Sequence, residues 1–364
     1  MAPSIRNILA LAALAAALAA IASPAKKKKE EETQTLQLPK ELPVAVAGET
    51  RRLLFHVTPL SAKGLLSQQV RDALRNLEHQ AAGNPVVQIR AFVAGSGDLR
   101  RVRDLVSETF TERRQPLPAL SLIQAGALPL AGAQVVLEAV SNGRRDSNTA
   151  GLAFLPGEVA VSENPLDSVT PLLDRSLASL RAAVRAAGVA PANALRVTCF
   201  LSSLDGFQAL RERVEMEYPR AALDILQPQR APQRAEAACE AVVGLHESRG
   251  PEAPRPAAGS PPSVFLLSPY AVLSGTQVSF GFQQQDARLA LDRLGRALEP
   301  LGVSLHDVVL AHFYPLSRRI EEEVRQQVPA FFPRPNPPAA IFTEFEGLSS
   351  SDAGFAVDVV AAKE

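Results

Sequence analysis

The sequence predicts an α+β protein made of three tandem units, each ordered helix, strand, helix, strand, strand. One stretch, Ala186 to Val242, spells the unit out by its periodicity and punctuation, and two other stretches repeat its order. The third observation is composition: 46% hydrophobic residues in a chain of 364 is enough for real cores in two or three domains.

The middle unit comes first because its signals are clearest. Leu177, Leu180 and Val184 recur at helical spacing with Arg175, Arg181 and Arg185 on the other face, and Gly188 past the last turn suits the left-handed conformation that ends helices. Leu195, Val197, Cys199 and Leu201 alternate with Arg196, Thr198 and Phe200, the period of a strand. Asp205 stands where an N-cap side chain would open a helix over Gly206 to Tyr218. Two strands follow, Ala222 to Leu226 and Ala237 to Val242.

Upstream, the stripe Val70, Leu74, Leu77 ends near Gly83, a strand runs from Val86 to Val93, and Asp98-Leu99 opens a helix to Phe110. Downstream, Leu291, Leu294, Leu298 and Leu301 precede a strand from Asp307 to Tyr314 and a helix around Ile320 to Val328. The closing strand pairs are Ala119 to Gln124 with Gln134 to Val140, and Ala340 to Phe345 with Phe355 to Val360. Each unit spans about a hundred residues, the size of a small domain. The expected domains are 44–143, 144–246 and 263–364, with a proline-rich linker at 247–262.

The start of the chain reads differently. Residues 1–22 carry one basic side chain, Arg6, then an Ala/Leu run and a small-residue site at Ala20-Ile21-Ala22, the pattern of a secretory signal. The expected location is periplasmic or secreted; if the segment stays uncleaved it becomes a membrane anchor. Residues 23–43 form a tether whose Lys26 to Lys29 and Glu30 to Glu32 nearly cancel. With 38 basic and 38 acidic side chains the chain has no net field to recruit polyanions, so nucleic acid is not an expected partner.

The run Ala91-Phe92-Val93, Asp98-Leu99, Phe110-Thr111-Glu112, Pro118-Ala119-Leu120-Ser121, Ala127-Leu128-Pro129 and Val136-Leu137-Glu138-Ala139-Val140 resembles the second half of the Rid proteins. These are the reactive-intermediate (imine/enamine) deaminases, also called the YjgF or L-PSP endoribonuclease family. Ser268-Pro269-Tyr270-Ala271 and Gly275-Thr276-Gln277-Val278-Ser279-Phe280-Gly281 resemble the family's opening turn and first hairpin. The resemblance implies a chorismate-mutase-like fold and rings of three subunits with ligand clefts between neighbours. Three copies in one chain would then form an intramolecular pseudo-trimer, a monomer whose interfaces are satisfied internally.

The resemblance also sets expectations for chemistry. The family's deaminases hold the substrate carboxylate with an arginine in a Pro-Ala-Arg-Ser strand motif; the matching positions here are Leu120, Ala221 and Ala340, none of which can do so. Arg220 adjoins one of them but its offset of one residue points it to the opposite face. Arg114, in the loop before the first of these strands, is the alternative ligand-binding arginine. Glu138 and Glu240 match the last-strand glutamate that helps position the attacking water and are the candidate catalytic bases, with Asp358 in the third unit. Tyr270 and Glu344 match further ligand-binding positions.

The function expected is binding of a small-molecule ligand in interdomain clefts with deaminase activity weak or lost. One alternative is an active Rid-class enzyme using Glu138 or Glu240 as base and Arg114 as anion anchor; another is a structural envelope protein. No cofactor or metal is expected, since the five histidines show no ligand spacing and His312 reads as an ordinary strand residue. Cys199 and Cys239 fall on strands of one unit, where they either pair or remain small buried thiols.

Overall fold

The computed structural model describes residues 45–49, 53–143, 151–156, 159–230, 233–244, 263–265, 270–281, 283–332 and 337–363. The signal at 1–22, the tether at 23–43, the linker at 247–262 and Ser268-Pro269 of the opening turn lie outside the described residues. The mixed α+β class holds, as three separate sheets with helices on one face of each.

After β1 (Ala45–Glu49), the first sheet takes β2 (Leu53–Val57), β3 (Val86–Ala94), β4 (Ala119–Ala125) and β5 (Val135–Asn142) in the order β2-β5-β3-β4. The second takes β6 (Leu152–Leu155), β7 (Ala160–Ser162), β8 (Ala194–Leu201), β9 (Ala222–Leu226) and β10 (Ala235–Gly244), ordered β6-β10-β8-β9 with β7 beside β10. After β11 (Ser263–Phe265), the third takes β12 (Tyr270–Ser274), β13 (Gln277–Phe280), β14 (Val308–Pro315), β15 (Ala339–Phe342) and β16 (Ala353–Lys363), ordered β12-β16-β14-β15 with β13 beside β16. The pairs β3·β4, β8·β9 and β14·β15 are parallel. Edges are exchanged between the first and third sheets: β1 pairs with β12, and β11 with β2.

Helices α1 (Leu66–Ala81) and α2 (Leu99–Glu112) cover the first sheet, setting Val70, Leu74, Leu77, Val102 and Leu105 on Ile89, Ala91, Val93 and Leu137. Helices α3 (Val169–Ala186) and α4 (Phe207–Glu217) cover the second, and α5 (Gln284–Leu298) and α6 (Arg318–Phe331) the third. Burying one such side chain contributes about 1.5–3 kcal/mol, so each stripe suffices to fix its helix. Among the described residues no helix is long and apolar enough to cross a membrane.

Local punctuation follows the sequence closely, with instructive departures. Asp98 caps α2, accepting from the N–H groups of Arg100 and Arg101 at 2.9 and 3.2 Å, and Gly188 takes φ 74° just past α3. Asp205 does not cap α4: Gly206, left-handed at φ 68°, is the N-cap residue, and no side chain accepts there. The strand expected over Ala340 to Phe345 ends at Phe342, because Glu344 leaves the sheet to bridge Ala127 of the first sheet's closing loop.

Cys199 and Cys239 sit directly opposite in the β8·β10 ladder with Cα atoms 4.1 Å apart, and they are disulfide-bonded. A cross-strand register with both side chains on the helix-covered face settles the alternative left open by the sequence.

The uncovered faces of the sheets turn toward one another. Phe92, Phe200, Tyr314, Ile123, Leu226 and Phe345 form one apolar layer of that shared interior; Phe55, Val140, Val242, Leu273 and Leu310 form a second. What lies between them is polar.

Candidate functional site

Parity on the strands dictates that middle layer. Arg90 opposes Glu138 across β3·β5, Thr198 opposes Glu240 across β8·β10, and His312 opposes Asp358 across β14·β16. Each pair points away from its own helices, so the converging faces bring all six groups together. Arg90, Glu138 and Glu240 are 2, 2 and 3% exposed, and His312 and Asp358 are fully buried.

Buried charges are tolerated only with partners, and here the partners cross between sheets. His312 Nδ1 lies 2.6 Å from Asp358 and its Nε2 2.6 Å from Glu138 of the first sheet. Arg90 ion-pairs with Glu240 of the second sheet and lies 3.7 Å from Glu138, while Ser121 donates to Glu240. Arg196 donates to Asp358 of the third sheet at 2.8 Å and stands 3.7 Å from Asp224. Thr198 donates to Asp224 at 2.9 Å, and the Tyr314 hydroxyl to Asp358 at 3.0 Å.

Protonation follows from burial set against these neighbours. Burial alone would strip His312 of its proton, but Asp358 and Glu138 outweigh it and raise the ring to about 9, so it is an imidazolium donating from both nitrogens. Burial would likewise raise Asp358, yet His312 and Arg196 pull it down to about 2. Glu138 is lowered, with His312 and Arg90 overcoming its desolvation. Asp224 goes the other way: burial, then the Asp358 charge, push it up to about 7 against the pull of Arg196. Three cations, Arg90, Arg196 and His312, therefore face four acids, Glu138, Asp224, Glu240 and Asp358. The Asp224 Oδ1 atom is buried with no hydrogen-bond partner among the described residues.

Above this layer Phe345 closes the interior, its ring 6.3 Å from Phe92, 6.1 Å from Phe200 and 4.8 Å from Tyr314. One phenyl from the third sheet's closing loop thus touches the strand residues two positions beyond Arg90, Thr198 and His312. Glu138 and Glu240 accordingly have their oxygens committed to cations and a hydroxyl under an aromatic cover. Among the described residues no group of three or more His, Cys, Asp or Glu side chains is placed to hold a metal ion.

The other expected site residues lie elsewhere. Arg114 is exposed past the end of α2, with φ 54°. Glu344 is half-buried; desolvation and the nearby Glu321 raise its carboxyl, with Arg318 opposing. Its backbone pairs with that of Ala127, joining the closing loops of the first and third sheets. Tyr270 opens β12, where its backbone pairs with Lys363 and Glu49; its side chain lies outside the described residues.

Open polar space is found instead between the first and second sheets, as a cleft of about 640 Å³. One wall is the loop from β3 into α2 with the first residues of that helix, Gly95 to Arg100, and Gln124; the other is Glu163, Gln229, Gln233, Arg234 and Glu236. Gly95 turns that loop at φ 61°, and a Cβ on Gly97 would stand 2.4 Å from the Val93 side chain. Gln229 reaches across from the second sheet to donate to Gly95 O at 2.7 Å, and Gln124 donates to the same carbonyl at 2.6 Å. None of the residues expected to bind ligand, Arg114, Tyr270 or Glu344, lines this cleft, nor do Glu138 and Glu240. Sequence reasoning expected clefts between the units but named none of these residues and did not join the buried layer: a charged residue at mid-strand opposite another, such as Arg90 facing Glu138, was the available signal for the layer, whereas the cleft residues are scattered over loops and the ends of α2, β4 and β10 with no motif.

No family profile matches the sequence, and no curated protein is similar to it. Among solved structures, a chorismatase matches 86% of this chain and 99% of its own length with a TM-score of 0.53 at 12% identity. A YjgF-family protein of Neisseria meningitidis (18% identity, TM-score 0.25) and RidA of an Antarctic Psychrobacter (18%, 0.24) each cover 26% of this chain and 80% of their own. At these identities what the chain shares with chorismatase is the fold.

Proposed function

We propose that the chain is an exported, Rid-like binder of small metabolites with imine deaminase activity weak or absent. One observation carries this reading: the carboxylates that would serve as base are consumed in a buried ion network, while a polar cleft of about 640 Å³ stays open between two sheets. A general base must reach the water it activates, and Glu138 and Glu240 have no such room. The cleft has the volume of ordinary small-ligand sites.

The common strand order of the sheets and the matched positions of Glu138, Glu240 and Asp358 support three tandem copies closed into a pseudo-trimer, and hence a monomer in solution. The Cys199–Cys239 disulfide supports export, because such bonds persist in oxidising compartments.

The test pairs two assays on the mature chain. A thermal-shift screen against a metabolite library should give saturable stabilisation by at least one small polar compound, and imines generated from amino acids should be hydrolysed no faster than in buffer. Robust imine turnover abolished by Glu138→Gln or Glu240→Gln would overturn the reading.

A further inference from the structure

The chemistry lining the open cleft is specific enough to name a ligand class, an inference that rests on the small-molecule-binding reading. Glu236 projects from β10 at a position where burial raises its carboxyl and Arg234 only partly offsets this, and that carboxylate makes no hydrogen bond among the described residues. On the same wall Arg234 acts on Glu236 through its charge alone and ion-pairs with Glu163 at 3.7 Å, in a pair whose side chains are 40 and 84% exposed. So open a pair holds its partners weakly and exchanges them readily. Arg100 adds a second guanidinium from the opposite wall.

Other ligand classes fit worse. A phosphate would want the first N–H groups of α2, but Asp98 already occupies two of them and brings its own negative charge. A polyamine would meet Arg100 and Arg234. A flat apolar ring would find no aromatic side chain to stack on.

We propose that the cleft binds one small zwitterion, a ligand of the amino-acid type, with its ammonium on Glu236 and its carboxylate on Arg234 and Arg100. The ligand supplies a hydrogen-bonded cation to Glu236, which Arg234 does not, and displaces the weak Glu163 contact of Arg234. Gln229 ties the two walls together through Gly95 O, which Gln124 holds from its own wall, and this fixes the distance between the charged ends.

Isothermal titration of the mature chain decides this, with glycine, L-serine and L-glutamine as probes, and ethanolamine and N-acetyl-L-serine as analogues carrying only one of the two charges. At least one zwitterion should bind, the single-charge analogues should bind roughly tenfold or more weakly, and Glu236→Gln should weaken the zwitterion by a similar factor, as loss of a charge-assisted hydrogen bond requires. Affinity should also fall as pH is lowered and Glu236 takes up its proton. Equal binding of N-acetyl-L-serine, or zwitterion binding unchanged in Glu236→Gln, would overturn the assignment. If no zwitterion binds while an uncharged library compound does, the assignment fails and the broader binding reading stands; if nothing in the library binds, both fail.

Discussion

The layer between the sheets and the cleft beside it are both rich in arginine and carboxylate, yet they stand in opposite physical situations. In the layer Arg90, Arg196, Glu138, Glu240, His312 and Asp358 are desolvated and matched across sheets, so each charge holds its neighbours in place. In the cleft Arg100, Arg234, Glu163 and Glu236 keep contact with water, and their pairing is loose or missing. Similar side chains are structural where their partners are fixed and available for a ligand where they are not.

The sharpest break is expected from Arg90→Met. It leaves Glu138 and Glu240 buried with too few cations, and removing one partner of such a network typically costs about 3–5 kcal/mol. Chemical denaturation should show this loss in full; a loss under about 1 kcal/mol would mean that water reaches the layer.

Next comes pH. His312 is raised in the folded chain to about 9 from an ordinary 6.5, so its contribution is fully present below pH 6.5 and disappears as pH climbs through 9. Wild-type stability should therefore drop across that window by on the order of 3 kcal/mol, and His312→Gln should lack the drop. Asp224, raised to about 7 from 3.8, adds a decline of the same sign at lower pH, between those two values. A flat profile from pH 6.5 to 9 in the wild type would contradict a buried imidazolium.

A smaller effect is expected from Phe345→Leu, which thins the aromatic cover without removing it. Loss of about 1–2 kcal/mol, together with a pH profile for His312 shifted toward an ordinary histidine, would confirm that the cover keeps water from the charges. The least effect belongs to the cleft: Glu236→Gln should change unfolding free energy by less than about 0.5 kcal/mol, since it loses only its attraction to the part-exposed Arg234 and is relieved of a buried charge. A larger change would move Glu236 from the ligand side of the comparison to the structural side.

Much of the fold was legible because helices and strands announce themselves locally. The stripes Val70-Leu74-Leu77 and Leu177-Leu180-Val184 gave α1 and α3, Asp98 gave the start of α2, and Gly188 the end of α3. Asp205 misled because Gly206 could take the left-handed conformation that the turn needs without any side-chain cap. Phe345 was misplaced in a strand for a different reason: its apolar neighbours continue the pattern of β15, but the tertiary bridge between Glu344 and Ala127 draws the chain out of the sheet.

The candidate site was legible only in part. The sequence marked Glu138, Glu240 and Asp358 as a matched set, which is how they occur at the strand centres. It gave no reason to join them to Arg90, Arg196 and His312, and it read His312 as ordinary.

The sequence by itself determined which residues share a face, because a strand's period of two is fixed by backbone geometry whatever lies nearby. Only the tertiary structure decided what each face meets. Arg196 and Thr198 read as the polar side of a half-buried strand, and they became interior because the second face of every sheet is turned toward the other two. Whether a charge is solvated, neutralised or left for a ligand depends on groups distant in sequence, such as Glu138 and His312, 174 positions apart. No local pattern carries that distance; convergence of the sheets supplies it.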